Sequence, residues 1–425
     1  MSDNTLMNLD ISSPKLTPST SRRWYKYYAG FSTNFVDDVM GELFGGRQTL
    51  NILDPWMGSG TTLSVAASRG HTAIGLDLNP AMVVVAKGRL IAADTETSLT
   101  ALAKDIVARW VVKEVDKLDP LSQWFEATTT KYIRAGANII QNMLATPSES
   151  ARQKVVEMSS LAAFFYVALF ETVSGSLRSF GSRNPTWIKH SGIGMGNVSV
   201  EPQLLKDRFL STVNRLVQHL EETNYLDITA RNHARVKLGD SRSLDIEDGS
   251  MDVVLTSPPY LTRLDYVVGH LPELALLGLG PAEVKELRQK MIGTPTMGSS
   301  RSSSAIGSVA EGVLQAVHAH DSYAAKSYYE PNFRQYFEGM SDSISELSRV
   351  VRDSGDLLVV VQDSWFKGYR LDLAACIVGI ASEHGWSLVG SKAFTSVRSM
   401  VQINPKASEM ARKSKPVESV LHFKK

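Results

Sequence analysis

The sequence predicts an α/β fold, a doubly wound sheet interrupted by a largely helical insertion. Two apolar segments, Leu50–Leu53 and Thr72–Leu76, have the length of buried strands, and a helical segment lies between them. A third apolar segment, Met251–Thr256, runs directly into two prolines. Across residues 96–232, apolar side chains recur at helical spacing and strand patterns are absent. Strands that alternate with helices favour a sheet covered on both faces.

The first strand leads into a glycine turn that begins at Asp54 and ends at Thr62. Gly58 and Gly60 remove side chains that would keep a ligand from the backbone, and the next helix offers its N-terminus to polar groups. Asp77 ends the second strand, 77 − 58 = 19 residues after the first glycine. An acid at about this distance usually accepts hydrogen bonds from a ribose.

The glycine turn alone leaves the ligand open. A Walker phosphate loop requires a lysine that this turn lacks, and a dinucleotide fingerprint requires a third glycine where this chain has Leu63. An ordinary turn of an α/β domain is the remaining alternative.

A second motif, Thr-Ser-Pro-Pro-Tyr at residues 256–260, follows the strand Met251–Thr256. The prolines fix the backbone and push Ser257 towards extended geometry. A hydroxyl, backbone carbonyls and one aromatic ring therefore project together from a stiff strand end. By itself, a pair of prolines here would most simply stop the strand.

Together the two motifs resemble those of the amino-group DNA methyltransferases that use S-adenosylmethionine. The form with Ser257 before the prolines is most similar to the cytosine-N4 enzymes, whereas adenine-N6 enzymes more often have Asp or Asn there. The resemblance covers residues 24–95 and 233–425. We therefore expect residues 22–95 and 233–425 to form the catalytic domain that binds S-adenosylmethionine.

The resemblance implies a seven-stranded methyltransferase sheet, S-adenosylmethionine as cofactor and double-stranded DNA as substrate. It implies that Asp240 accepts a hydrogen bond from the adenine amino group of the cofactor. The cofactor-binding residues that it implies are Asp54, Pro55, Gly58, Ser59, Gly60, Thr61, Asp77, Leu78, Asp240 and Ser241. The catalytic residues that it implies are Ser257, Pro258, Pro259 and Tyr260.

The expected reaction is methyl transfer to the exocyclic N4 amine of a flipped-out cytosine. Ser257 and the Pro258 carbonyl would accept the two N–H bonds of the amine and draw its nitrogen towards tetrahedral geometry. Tyr260 would stack on the extruded base, whose flipping costs a few kcal/mol. Serine is a poor general base, so we expect the product proton to leave to water.

Three alternatives remain: an adenine-N6 DNA enzyme, an RNA enzyme that methylates the guanine N2 amine, and a DNA-binding protein without activity. Carbon-5 methylation is disfavoured because it needs a thiolate, and the single cysteine, Cys376, lies in an apolar helical stretch. A restriction-modification context would add a cognate restriction endonuclease as a partner.

Composition sets further bounds. The chain has 425 residues and a formal net charge of +1, so any DNA binding must depend on local basic patches. One cysteine excludes a disulfide framework and a cysteine-rich zinc site, and we expect no metal. The sequence shows no signal-peptide pattern and no apolar run of membrane-spanning length, which favours the cytoplasm and no membrane partner.

Three segments that precede the glycine turn lie outside the two motifs. Residues 1–21 are poor in large apolar groups and are expected to be a disordered tail. Residues 22–28 interleave three cations with four aromatic rings, which fits either a solvated helix face or a segment that covers the cofactor and contacts phosphate. The stretch Tyr28–Phe35 is similar to the family segment that packs over the methionine end of the cofactor.

The insertion, residues 96–232, is the expected target-recognition region. It contains a loop of residues 178–190 with four potentially cationic side chains and two aromatic rings, which is either an ordinary surface loop or a DNA contact. Many cytosine-N4 enzymes have the two motifs in the opposite order, with the target-recognition region between them. The position of the recognition region in this chain therefore cannot be transferred from those enzymes. The expected DNA-binding residues are Arg178, Arg183, Trp187, Lys189 and Arg263.

After the second motif, the sequence predicts a helix, a Gly-, Ser- and Thr-rich loop at residues 293–308, and the helix Phe337–Val351. Asp353–Gly355 reads as a turn. Three further strands are expected at Asp356–Val361, Trp386–Phe394 and Val417–Phe423. With Arg235–Asp240 as the third strand, the total is seven.

Overall fold

The computed structural model describes residues 6–15, 24–25, 27, 30–91, 96–112, 119–145, 150–181, 188–189, 196–223, 232–261, 265–296, 304–395 and 417–425. Its strands are β1 Asn51–Asp54, β2 Thr72–Asp77, β3 Ala234–Leu238, β4 Met251–Thr256, β5 Val351–Gln362, β6 Ser364–Phe366, β7 Tyr369–Leu371, β8 Ser387–Thr395 and β9 Val417–Lys424.

The α-helices lie before the first strand and between later ones. They are α1 Thr33–Phe44, α2 Thr61–Ser68, α3 Pro80–Arg89, α4 Glu96–Arg109, α5 Ala127–Leu144, α6 Ala151–Glu157, α7 Ser160–Ser176, α8 Pro202–Thr223, α9 Leu271–Leu277, α10 Pro281–Lys290, α11 Gly307–Ala319, α12 Glu330–Val350 and α13 Leu373–Glu383.

Seven strands form one sheet in the order β3-β2-β1-β4-β5-β9-β8. The first five are parallel, and β9 runs antiparallel to both β5 and β8. The predicted fold class, a doubly wound seven-stranded sheet, is confirmed by this strand order. The order reverses beside β1, which places β1 and β4 at the switch point where ligands bind in open α/β sheets.

Both faces of the sheet are buried. Along β5, Leu357, Val359 and Val361 face one hydrophobic cluster, and Leu358 and Val360 face the other. Because successive side chains of a strand point to opposite faces, this alternation shows that helices cover the sheet on two sides. One cluster includes residues of α11, α12 and α13, and the other includes residues of α1, α2, α3 and the inserted helices.

The insertion shares its core with the sheet rather than forming a separate one. Helix α7 is apolar on all sides, and every residue from Ala162 to Phe170 is buried. It packs on α3 so closely that a Cβ at Gly88 would lie 3.1 Å from the backbone of Ala163 and Phe164. The helical character expected for residues 96–232 is therefore found in α4 to α8.

Part of the expected disordered tail is packed against the sheet domain. Leu6 and Ile11 are buried, and the Ser12 backbone N–H donates to Asp38 at 2.8 Å. The Lys15 amino group donates to Gln362 Oε1 at 2.9 Å. For residues 6–15 the expectation of disorder is wrong, because these few apolar and polar side chains find partners on the folded domain.

Three other differences lie in the C-terminal half. Asp353–Gly355, expected as a turn, lies within β5 as a bulge: Met251 pairs with Val351 and Val253 with Asp356, and Ser354 has a φ of 62°. The hairpin β6–β7 was not expected. Helix α11 begins at Gly307, inside the predicted loop of residues 293–308, of which 297–303 lie outside the described residues.

Candidate functional site

A cleft lies at the carboxyl ends of β1, β2, β3 and β4, and its empty volume is about 870 Å³ including space open to solvent. The glycine turn after β1 and the Ser-Pro-Pro-Tyr segment after β4 both line it. The two motifs are about 200 residues apart in the sequence, and the sheet brings them to one site because β1 and β4 are adjacent parallel strands.

The cleft contains nearly all the residues predicted to bind cofactor and all those predicted to act in catalysis. Gly60 is the exception: it has a φ of 75°, precedes the first residue of α2 and faces Ala86 of α3. The predicted residues that line the cleft are Asp54, Pro55, Gly58, Ser59, Thr61, Asp77, Leu78, Asp240, Ser241, Ser257, Pro258, Pro259 and Tyr260.

The glycine turn has a backbone shape that requires glycine at Gly58. Its φ is 48°, and a Cβ there would lie 2.6 Å from the Tyr27 ring, which also lines the cleft. The Gly58 N–H donates to Asp77 at 3.1 Å, and the Met57 N–H donates to the Leu76 carbonyl at 3.0 Å. The turn is thus fixed against the end of β2.

Asp54 is buried at the base of the cleft and joins the two motifs. Its carboxylate accepts a hydrogen bond from the Thr256 hydroxyl at 2.6 Å and from the Trp56 backbone N–H at 3.3 Å. Burial raises the pKa of Asp54 to about 6, although hydrogen bonds from Thr256 and Thr62 act in the opposite direction. The observed contacts make Asp54 a structural link between β1 and β4.

Asp77 presents a carboxylate at the cleft and also holds the backbone around it. One oxygen accepts the Gly58 N–H, and the other accepts the Asn79 N–H at 2.8 Å. Burial raises the pKa of Asp77 to about 7, and the nearby Asp54 adds to the shift. The Leu78 backbone N–H also interacts with this carboxylate. A carboxylate has about four lone-pair sites, so Asp77 can still accept a hydroxyl group.

Asp240 and Ser241 follow β3 and complete this wall. The Arg242 side chain donates to both oxygens of Asp240, at 3.0 Å to Oδ1 and 2.7 Å to Oδ2. Ser241 is buried and hydrogen-bonds Ser343 at 2.9 Å. Oδ1 also accepts the Arg242 backbone N–H, which leaves Oδ2 as the oxygen with capacity for a further donor.

The opposite wall is the Ser-Pro-Pro-Tyr segment. The Ser257 hydroxyl lies 3.4 Å from the Tyr260 hydroxyl and 3.2 Å from the Val360 carbonyl, and it can donate to either. Its hydrogen is therefore directed into the protein, and its lone pairs are what it offers to the cleft. The Pro259 carbonyl accepts from Tyr336 at 2.9 Å, which fixes the strand end.

Several cleft residues were missed by sequence reasoning. Tyr266 and His270 are linked, because the His270 Nδ1 lies 2.8 Å from the Tyr266 carbonyl. Tyr27 falls in the aromatic segment of residues 22–28, which was a usable signal, but nothing in the sequence placed its ring beside Gly58. Gly30 and Phe31 also line the cleft and belong to the stretch Tyr28–Phe35, which was expected to pack over the cofactor. The cleft residues that were given no role of their own are Trp56, Met57, Asn79, Met82, Gly239, Tyr266, His270, Lys290, Met291 and Ile292.

The predicted DNA-binding residues lie elsewhere or outside the described part. Arg178 and Lys189 are exposed on the insertion, and neither is part of the cleft wall. The Lys189 N–H donates to Phe180 at 3.0 Å, which holds the two ends of the loop together. Arg183, Trp187 and Arg263 lie outside the described residues.

The described residues include neither a metal-binding cluster nor a helix suited to a membrane. Among them, no group of three or more His, Cys, Asp or Glu side chains is arranged to hold a metal ion. Within the same residues, no helix has both the length and the apolar character needed to cross a membrane.

Comparison with known proteins found relatives but no matching family model. A type II methyltransferase of Geobacillus stearothermophilus, M.BsoBI, is 23% identical over 297 residues, which cover 63% of this chain and 55% of the relative. The chain is similar to type II methyltransferases. M.AvaI of Nostoc sp. is 23% identical over 64% of this chain and 56% of its own length.

A third relative, M.MjaII of Methanocaldococcus jannaschii, is 22% identical over 73% of this chain and 66% of its own length. The chain thus spans about half the length of the first two relatives. Among solved structures, the cyclase SpnF aligns over 94% of this chain and 86% of its own at a TM-score of 0.33 and 8% identity, too low to add to what the sheet order shows.

Proposed function

We propose that this protein is an S-adenosylmethionine-dependent DNA methyltransferase that acts on the exocyclic N4 amine of cytosine. The observation that carries the proposal is the single cleft with the glycine turn and Asp77 on one wall and Ser257 on the other. Similarity to type II methyltransferases supports methyl transfer. The serine before the prolines favours cytosine over adenine.

The first wall fits the cofactor. At Gly58 the absence of a Cβ lets the Tyr27 ring lie against the glycine turn, and both residues line the cleft where the cofactor would bind. Asp77 can accept ribose hydroxyls, and Asp240 can accept the adenine amino group through Oδ2. S-adenosylmethionine would supply an electrophilic methyl group on its sulfonium.

The second wall fits an exocyclic amine. The amine nitrogen is a poor nucleophile because its lone pair is delocalised into the ring. Ser257 offers lone pairs to one N–H, and the Pro258 carbonyl can accept the other; among the described residues no donor reaches that carbonyl. Acceptors that strengthen their bonds as the nitrogen becomes positive stabilise the transition state.

The DNA would supply the amine as a flipped base. A cytosine within a duplex keeps its amine in the base pair, so the base must leave the stack to reach the cleft. Tyr260 lines the cleft and is the proposed stacking ring. We place target recognition in the insertion, residues 96–232, and propose a cognate restriction endonuclease as partner in a cytoplasmic restriction-modification system.

The test is a product assay. The protein is incubated with methyl-labelled S-adenosylmethionine and duplex DNA, and the DNA is digested to nucleosides. Label in N4-methylcytosine is the expected result. Label in N6-methyladenine would replace the proposal with the adenine enzyme, transfer to tRNA alone would favour the guanine-N2 enzyme, and no cofactor binding by calorimetry would favour a binding protein without activity.

A further inference from the structure

A chain of hydrogen bonds leads from the cleft into the last strand of the sheet. The Ser257 hydroxyl lies 3.4 Å from the Tyr260 hydroxyl, which in turn donates to Oε1 of Glu418 at 2.9 Å. Glu418 belongs to β9 and is 2% exposed. The chain therefore joins a hydroxyl at the cleft to a carboxyl group that is shielded from bulk water.

The surroundings of Glu418 contain few charges. The titratable groups that face it are Lys15, from the N-terminal segment, and Tyr260. Its neighbours on the adjacent strands, Gln362 of β5 and Phe394 of β8, do not titrate. Burial raises the pKa of Glu418, while the charge of Lys15 and the hydrogen bond from Tyr260 act in the opposite direction.

The hydrogen bond from Tyr260 does not by itself require a carboxyl group here. Glutamine would accept the same hydrogen bond from Tyr260 without the cost of burying a charge. A carboxylate adds one property that an amide lacks, which is the capacity to take up a proton. Burial also raises the pKa of Tyr260 well above its usual value, so its hydroxyl stays protonated and can pass a proton on.

We propose that Glu418 is the acceptor of the proton that the target amine loses, and that Tyr260 and Ser257 conduct it. This inference rests on the proposed function of the cleft, but it concerns a residue outside both motifs. It replaces our expectation from the sequence that the proton leaves to water.

The step balances within the chain. As the new bond from nitrogen to the methyl carbon forms, the bond from that carbon to sulfur breaks and its electron pair stays on sulfur. An N–H proton of the amine passes to Ser257 Oγ, the Ser257 proton passes to the Tyr260 oxygen, and the Tyr260 proton passes to Glu418. The products are a neutral methylamine, a thioether and a protonated Glu418, which later releases its proton.

The experiment compares wild type with Glu418→Gln and Tyr260→Phe. Single-turnover methyl transfer to duplex DNA is measured from pH 5 to 8. Cofactor is kept saturating, because Asp77 has a pKa of about 7 and its titration would otherwise change cofactor binding within this range. In wild type the rate should fall as pH drops through the raised pKa of Glu418. Both variants should lose this decrease in rate at low pH, and both should transfer the methyl group roughly 100-fold or more slowly than wild type at pH 8. The double variant should be no slower than either single one.

A spectroscopic readout does not depend on activity. Difference infrared spectra of wild type between pH 5 and 8 should contain a carboxylic acid band that is absent from Glu418→Gln and present in the control Glu247→Gln, which changes an exposed side chain. The proposal would be overturned if both Glu418→Gln and Tyr260→Phe kept the wild-type pH profile. It would also be overturned if the infrared spectra of wild type and Glu418→Gln contained the same carboxylic acid bands. Wild type that transfers no methyl group would instead overturn the proposed function.

Discussion

The Thr256 hydroxyl donates a hydrogen bond to the Asp54 carboxylate at 2.6 Å, although the two residues are 202 positions apart in the sequence. Asp54 is the last residue of β1 and Thr256 is the last residue of β4. Each is followed directly by one of the two motifs. This buried bond therefore fixes the distance between the two walls of the cleft.

Thr256→Val should destabilise the protein in a pH-dependent way. It removes a bond to a buried carboxylate, which typically costs about 1–3 kcal/mol. The pKa of Asp54 is about 6, so the carboxyl is ionised at pH 7.5 and mostly protonated at pH 5. The hydrogen bond from Thr256 lowers the pKa of Asp54, so it stabilises the ionised carboxylate more than the protonated carboxyl group, and the loss should be larger at pH 7.5. Urea unfolding at both pH values measures it.

Thr129→Val is the matched control. Thr129 is also buried, but it bonds the neutral backbone of Val200, at 3.0 Å from the N–H and 3.4 Å from the carbonyl. Its cost should be the same at both pH values. An equal pH dependence of the two variants would show that the Thr256 bond is not coupled to the charge of Asp54.

Asp77→Asn should weaken cofactor binding and remove its pH dependence. An ionised carboxylate accepts ribose hydroxyls better than a protonated one, and the pKa of Asp77 is about 7. Wild-type affinity should therefore rise roughly ten-fold from pH 6 to pH 8. The variant should bind roughly 10- to 100-fold more weakly at pH 8, with little change across the range.

Calorimetric titration with S-adenosylmethionine measures these affinities. Asp245→Asn, which removes a fully exposed carboxylate, should bind as wild type does. If Asp77→Asn kept full affinity, the assignment of the end of β2 to the ribose would be wrong.

Gly58→Ala should weaken cofactor binding beyond the effect of backbone strain. The new Cβ would lie 2.6 Å from the Tyr27 ring and push it into the cleft. We expect at least a ten-fold loss of affinity by calorimetry. Gly70→Ala separates the two effects, because Gly70 also has a positive φ, 77°, but nothing within 4 Å of the new atom. Both variants should lose roughly 1–2 kcal/mol of stability from strain, and only Gly58→Ala should lose affinity.

The sequence predicted the parts of this fold that depend on local pattern. Apolar runs placed β1, β2 and β4 within about one residue, because buried parallel strands are continuously apolar. The start of the long strand β5 was not predicted, because Asp353–Gly355 has the composition of a turn. Only the pairing of β5 with β4 shows that this segment is a bulge within the strand. Residues 6–15 looked disordered because their partners, such as Asp38 and Gln362, are distant in the sequence.

The site was predictable only where its residues belong to contiguous motifs. Both walls of the cleft could be named from the glycine turn and the Ser-Pro-Pro-Tyr segment. Glu418 is 158 residues from Tyr260, and a lone acid in an alternating strand carries no local signal. The ring of Tyr27 and the link between Asp54 and Thr256 likewise depend on the tertiary structure.

Ser257→Ala should lower the rate of methyl transfer far more than the affinity for cofactor. Removing one acceptor that stabilises charge in the transition state typically costs about 100- to 1000-fold in rate. Ser257 lies on the wall opposite the glycine turn, so the calorimetric affinity should stay within about two-fold. Ser68→Ala, on α2, changes a serine whose hydroxyl donates to the Val65 carbonyl at 2.8 Å, and it should leave both quantities unchanged. A wild-type rate in Ser257→Ala would refute the assigned role.

The double variant Arg178→Ala with Lys189→Ala tests whether the insertion contacts DNA. Both side chains are exposed near the ends of one loop, and neither faces the cleft. If each neutralises one phosphate, duplex binding should weaken and the slope of log affinity against log salt should fall by about 2. Fluorescence anisotropy with a labelled duplex at several salt concentrations measures the slope. Arg352→Ala, at the amino end of β5 and so on the edge of the sheet away from the cleft, should leave it unchanged. An unchanged slope in the double variant would move the DNA-binding surface away from this loop, because a contact to phosphate cannot be lost without a change in the number of released counterions.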